Sequence, residues 1–357
     1  MTTFWDFLRT FFEPGSRQPA RREQPLRLRR FGLSKSRIAA FEQCPKRLWL
    51  EVHRPELGII DVDTTTRFAA GHEVGEIACQ LYSDGIMIEA EPDIRAALER
   101  TAELLTLEPP RPLFEATFER DDVIVRVDLM IPANGDGWHI AEVKSTTGAK
   151  PYQLSDLATQ IWVIEGSGIK IVSASIRHID REFIYMGEGD YLGLLKDSAQ
   201  DEAIRPIVLT RAEVVALARS TLDGPEPERD TGPHCTDPFT CQFQDYCNQG
   251  CDQPAWPISI LPHTGSRLAQ QWAEKGVVEL TALREDDLAS ALHRRIHRST
   301  STGEVFHDVA AARATTAHWQ APRAYLDFET IAFAVPRWRG SRPYEQVPFQ
   351  FSVHVED

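Results

Sequence analysis

Apolar residues recur along this chain at two periods, and the change of period marks its elements. Ser34 is placed to cap a helix that carries Ile38 and Phe41 and runs on to Leu48, Trp49 and Leu50 with one apolar face. Further helices are predicted at about Thr66–Ser83 and Ile94–Leu105, the second ended by Glu108-Pro109-Pro110-Arg111-Pro112. The pattern then becomes strand-like. Phe114–Arg120, Val123–Ile131 and Trp138–Ser145 read as strands, and Asn134-Gly135-Asp136-Gly137 supplies a turn that makes the last two a β-hairpin. Leu154, Leu157, Ala158, Ile161 and Ile164 share one face of a helix over Leu154–Glu165, stopped by Gly166-Ser167-Gly168. Strands at Ile169–Ile179 and Glu182–Met186 and a helix at Thr210–Leu222 complete the series. Strands, then a helix, then a strand predict an α/β layer with a mixed sheet.

Four segments follow from this pattern. Residues 1–30 form a basic arm, 31–251 a main domain, 252–320 a helical linker region with two short helices over 265–298, and 321–357 a new start. Asp223–Pro233 and Asp252–Pro257 read as linkers around the cysteine-rich stretch 234–251. In the last segment Ala324–Phe328 is a strand, and Val347–Val355 can pair back with it as a hairpin. There is no internal repeat.

With 357 residues, 42% hydrophobic and 26% charged, the chain has the composition of a globular protein. No apolar run reaches the length of a membrane span. Near the N-terminus Asp6 and Arg9 interrupt Phe4, Trp5, Phe7, Leu8, Phe11 and Phe12, so a secretory signal is not indicated. A cytoplasmic location and no membrane partner are expected. The net charge of −14 argues against a passive nucleic-acid coat. Residues 1–54 nevertheless hold 12 Arg/Lys against 5 Asp/Glu, a net +7, which leaves −21 on the rest. Arg17, Arg21, Arg22, Arg27, Arg29 and Arg30 are able to track phosphates, and a solvated tail explains them equally well.

Candidate chemistry concentrates in the hairpin. Asp128 lies in its first strand, and Glu142-Val143-Lys144 lies in the second. Residues two apart on a strand face one side, so Glu142 and Lys144 point together. Two acids and a lysine converging at a sheet edge, with Glu115 on the preceding strand, can hold a divalent metal and activate a water. Taken singly, each of these residues reads as an ordinary surface side chain. The six cysteines are Cys44, Cys79, Cys235, Cys241, Cys247 and Cys251. In a cytoplasmic chain of this size, thiols clustered like Cys235, Cys241 and Cys247 point to metal rather than disulfides. Their wide spacing and the remote Cys44 suit an iron–sulfur cluster better than zinc, with zinc still open. Cys79 reads as a core residue and Cys251 as a spare ligand.

The set Glu115, Asp128, Glu142-Val143-Lys144, with Gln160 on the following helix, resembles the PD-(D/E)XK nucleases of the RecB/Cas4 type over roughly residues 30–250. The resemblance implies a restriction-endonuclease-like mixed sheet flanked by helices and cleavage of phosphodiester bonds. It also implies DNA as the favoured nucleic-acid partner, as single strands or ends, with exonuclease preferred to endonuclease action. It makes Asp128, Glu142, Lys144, Glu115 and Gln160 catalytic candidates. Asp128, Glu142, a histidine matching His72 and the carbonyl of Val143 would hold Mg²⁺ or Mn²⁺. One cysteine before the core and three after it, Cys44, Cys235, Cys241 and Cys247, would hold a [4Fe–4S] cluster. Asp327-Phe328-Glu329 resembles the opening motif of DnaQ-like exonucleases, so 321–357 would be the truncated start of an RNase H-like domain, with Asp327 and Glu329 as its acids. Cys44-Pro45-Lys46-Arg47-Leu48-Trp49-Leu50, Gly232-Pro233-His234-Cys235, Tyr325-Leu326-Asp327-Phe328-Glu329-Thr330 and Arg342–Ser352 look like signatures of the DUF2779 family. The alternative functions are a non-catalytic nucleic-acid-binding or scaffold protein with a structural cluster, and a zinc-stabilised RNA-processing protein.

Overall fold

Lys35 to Gln43 form a helix, α1, because Ser34 caps it: the Ser34 hydroxyl accepts the Arg37 N–H at 3.3 Å. The sequence predicts one helix through Leu50; two form instead. Cys44 is extended (φ −161°, ψ 118°), as a residue before proline prefers, and Pro45 opens α2 (Pro45–His53). A computed structural model of the chain describes residues 32–59, 62–133, 137–249 and 254–357, and over 62–69 the backbone alone. The basic arm 1–30, turn residues 134–136 and Cys251 lie outside the described residues.

The architecture is α/β, with a seven-stranded mixed sheet flanked by helices. Its strands are β1 (Leu33–Ser34), β2 (Ile86–Met87), β3 (Leu113–Arg120), β4 (Val123–Pro132), β5 (Trp138–Lys144), β6 (Ile171–Ile179) and β7 (Leu195–Ala199), in the order β2-β3-β4-β5-β6-β7, with β1 also on β4. Helix α3 (Val62–Gln80) packs on β4 and β5, and α4 (Ile94–Leu104) packs on β3. In β4, Val123, Val125 and Val127 are buried while Ile124, Arg126 and Asp128 alternate with them at intermediate exposure, the period-two pattern of a strand. The β4–β5 hairpin and the strand at β6 form as the sequence predicts.

Helix α5 (Pro151–Gly166) is covered on more than the single face expected, since every residue from Leu157 to Ile164 is buried. The sheet lies on one side and α6 (Asp201–Asp223) on the other. Helix α6 starts nine residues earlier than the predicted Thr210, because Pro206 reads as a breaker yet is accommodated in the second turn. The strand expected at Glu182–Met186 does not join the sheet. Gly187, Gly189 and Gly193 have positive φ and keep this stretch irregular, and the sheet edge passes to β7. The backbone of Tyr185 pairs instead with Ser341 (3.1 Å) and Gly340 (2.7 Å).

After the short α7 (Gln244–Cys247), helices α8 (Gly265–Ala273) and α9 (Ala291–Thr302) enclose a small core of Ile258, Leu261, Leu280, Leu283 and Leu288. Helix α10 (Val309–Thr316) leads to a ribbon of β8 (Arg323–Ile331) and β9 (Val347–Glu356). Both faces of this ribbon are exposed. A two-stranded ribbon is marginal alone; here its connecting loop is the anchor. Ala334 and Val335 are buried against Val74, Ile77, Ile179 and Leu194, and the Tyr344 hydroxyl donates to the Ser145 carbonyl.

Candidate active site

The site forms where the neighbour of β4 changes. At its start β4 pairs in parallel with β1, Leu33 opposite Val123 and Ser34 opposite Ile124. At its end it pairs antiparallel with β5, the last rung being Leu129–Ala141. Between these partners the ladder forks, and Asp128 lies in the fork. Its Oδ2 accepts the Val143 N–H at 2.7 Å, replacing a ladder bond that the parting strands no longer make. Lys35 follows directly from β1, and Glu142 follows the last rung of β5. Three residues far apart in the chain thus meet by strand pairing alone.

Glu142 is the centre of the fork, with only 1% of its surface exposed. Oε1 accepts Lys144 Nζ at 2.7 Å and Lys35 Nζ at 2.8 Å. Oε2 accepts Gln160 Nε2 at 2.6 Å and Lys35 Nζ at 3.0 Å. Gln160 comes from α5 and is fully buried, and its Oε1 has no donor among the described residues. Lys144 Nζ also lies 3.9 Å from Asp156 Oδ2. Lys35 and Asp156 are members of the cluster that the sequence reading did not single out. Lys35 sits in a helix start with no strand or motif signal. Asp156 was legible only as the residue four before Gln160 on the same helix.

Electrostatics separate the acids. Burial alone raises the Glu142 carboxyl, but the Lys144 and Lys35 ammoniums and their hydrogen bonds reverse this and hold it well below the usual range. Asp128 is pushed up to about 7 by burial and by the Glu142 charge, against the pull of Lys35. Burial likewise pushes Asp156 up to about 6. Burial opposes charging Lys35, yet Glu142, Asp128 and Asp156 together raise it above its ordinary value. Such displaced acids in one cluster mark a candidate functional site.

The other candidates lie further out. Glu115 is opposite Asp128 in the β3–β4 register and adopts φ +56°, a left-handed conformation that a non-glycine residue in a strand rarely takes. Its carboxylate is 3.0 Å from Arg126 Nε as an ion pair. His72 is exposed on α3, with Nε2 3.0 Å from Glu76 Oε1. Among the described residues no group of three or more His, Cys, Asp or Glu side chains is gathered to hold a metal ion, so His72 is not gathered with the two acids.

Cys44, Cys235, Cys241 and Cys247 line one pocket, together with Lys46 and Arg47. Cys44 is brought there by the α1–α2 break, Cys235 and Cys241 by the loop after α6, and Cys247 by the end of the short α7. Gln43 Nε2 donates to the carbonyls of His234 and Phe239, both at 2.7 Å, which ties α1 to that loop. The Gly232 N–H points at Cys235 Sγ at 3.5 Å. Burial pushes the thiols of Cys241 and Cys247 up, the Lys46 charge opposing it at Cys247. Cys79 is half-buried away from this pocket, packed against Ala78, Phe114 and Leu129 as a core residue, and its thiol is pushed up to about 12, chiefly by burial. Asp327 and Glu329 are exposed on β8.

No helix among the described residues is long and apolar enough to cross a membrane. No curated protein matches the chain. A solved structure described as "Crystal structure of SSO0001" is similar at 13% identity and a TM-score of 0.29, over 62% of this chain and 87% of that one. A family model described as "Domain of unknown function (DUF2779)" matches residues 324–357. The chain is therefore similar to the DUF2779 family over its C-terminal ribbon, the stretch that holds Asp327 and Glu329.

Proposed function

We propose that this protein is a metal-dependent nuclease of the PD-(D/E)XK kind that hydrolyses phosphodiester bonds in DNA, single strands or ends favoured. The observation that carries the reading is the fork itself: Glu142, Lys144, Lys35 and Gln160 in mutual hydrogen bonds beside Asp128. In this reading Asp128 and Glu142 are the oxygen donors for Mg²⁺ or Mn²⁺, ions that prefer carboxylates. A metal bound there supplies Lewis-acid stabilisation of the phosphate and a more acidic water. Lys144 holds one Glu142 oxygen and presents its ammonium where negative charge develops. Gln160 fixes the other oxygen, and its buried, donorless Oε1 offers an acceptor to a water. Glu115 is the reserve acid of the fork, held by Arg126.

The cysteine pocket, at the far end of α1, supports a thiolate-held group. Four thiols line it, the number of thiolates that a [4Fe–4S] cluster takes. Lys46 and Arg47 complement the negative charge of four thiolates, and the Gly232 N–H directed at Cys235 is the kind of contact that tunes a cluster. The ribbon 321–357 is read as the opening strands of an RNase H-like domain.

The test is cleavage of single- and double-stranded DNA and RNA with Mg²⁺ and Mn²⁺ by the wild type and by Lys144→Ala. Loss of cleavage in the variant, with DNA binding kept, is the expected result. Equal cleavage by both proteins removes the fork as the active site, and binding without any cleavage favours the scaffold reading.

A further inference from the structure

We propose that Lys35 is a resident cation that occupies the metal position on Glu142 and must leave before a divalent ion can bind. This rests on the reading of the fork as a metal site. The argument is a count of lone pairs. An ionised carboxylate offers about four acceptor directions, and Glu142 fills four: Oε1 with Lys35 and Lys144, Oε2 with Lys35 and Gln160. An incoming ion has to evict a donor.

Three features select Lys35 as the donor that yields. Gln160 is fully enclosed in α5, with no exposed surface to move into. Lys144 binds a single oxygen and shares its own strand with Glu142, so it remains beside the acid when a contact is lost. Lys35 alone spans both oxygens, the position an ion shared by the carboxylate would take. Lys35 is also the first residue of α1, where the positive end of a helix disfavours a cation. Glu142 is the main compensation for that placement, so an ion that neutralises Glu142 also releases the lysine. The freed ammonium then stands beside the ion, available to a phosphate oxygen of the substrate.

The design is a site that keeps its buried acid charged and ordered without metal, at the expense of metal affinity. The test is Mn²⁺ binding to the full-length chain without nucleic acid, by titration calorimetry and by the loss of free-ion paramagnetic resonance. Lys35→Met is expected to bind Mn²⁺ at least about tenfold more tightly than the wild type, and Lys35→Arg to stay near the wild type. Unchanged or weaker binding by Lys35→Met overturns the proposal. Thermal melting confirms folding; if Lys35→Met does not fold, Lys35→Gln is measured against the same criterion. Glu142→Gln separates the two ideas. Wild-type Mn²⁺ binding that is indifferent to Glu142→Gln sinks the metal-site reading itself. Binding that needs Glu142 but ignores Lys35 sinks the placeholder alone.

Discussion

Two strands of this protein carry an acid and a second charged residue two positions on: Glu142-Val143-Lys144 in β5 and Asp327-Phe328-Glu329 in β8. As strings they are equivalent, since either pair faces one side of its strand. In the structure they are opposites. Glu142 is buried under donors from two elements besides its own strand's lysine, Lys35 and Gln160, with the Asp128 carboxylate nearby on a third. Asp327 is exposed, and its Oδ1 accepts the next residue's N–H at 3.0 Å. The spacing of charges therefore proposes a site, and the elements stacked around it decide whether it becomes one. β5 is an interior strand with α3 packed on it, whereas β8 belongs to a ribbon open on both faces.

That contrast can be broken by mutation. The largest effect is expected for Glu142→Ala, which leaves two lysines in a buried pocket without their counter-charge. It should cost about 3–5 kcal/mol of stability, read by chemical denaturation, and abolish metal-dependent cleavage. Asp327→Ala should shift stability by less than about 0.5 kcal/mol, as surface changes do, and leave cleavage intact. An equal loss from both variants would erase the distinction between the strands.

Cys241→Ser comes next. If the pocket holds a cluster, the anaerobically purified variant loses the broad absorption near about 400 nm and melts well below the wild type. A spectrum and melting temperature unchanged from wild type remove the thiols from any metal role. The smallest effect sharpens the comparison through pH. Asp128 has its pKa raised to about 7, so the folded metal-free protein binds a proton there that the unfolded chain has released. Its contribution to stability is complete below the ordinary carboxylate range near 3.8 and is lost as pH rises through about 7. Asp128→Asn should therefore melt a few degrees above the wild type at pH 8 and lose that advantage near pH 4, measured without divalent ions. An advantage independent of pH would mean that Asp128 is not the acid under strain.

Much of this was legible from the chain because strand periodicity and turn residues act locally. The β4–β5 hairpin, β6 and the placing of Asp128 beside the Glu142–Lys144 segment follow from strand alternation and one turn. The four cysteines assigned to one group do line one pocket. What was not legible depends on distant partners. Lys35 gains its role only because β1, two residues long, lays it into the fork; so short a strand has no period to read. Gln43 matters through two carbonyls almost two hundred residues away. Tyr185 looked like strand because its backbone does pair, but with the loop that anchors the ribbon.

Helix α1 is nine residues long, a rod of about 13 Å. One end carries Lys35, touching the buried acid; the other carries Gln43, stitched to the loop of the cysteine pocket. In the proposed reading, a change in the group held by that loop would reach Lys35 and its hold on Glu142 through this rod. The proposed nuclease centre would then sense the state of the thiols while containing no sulfur itself.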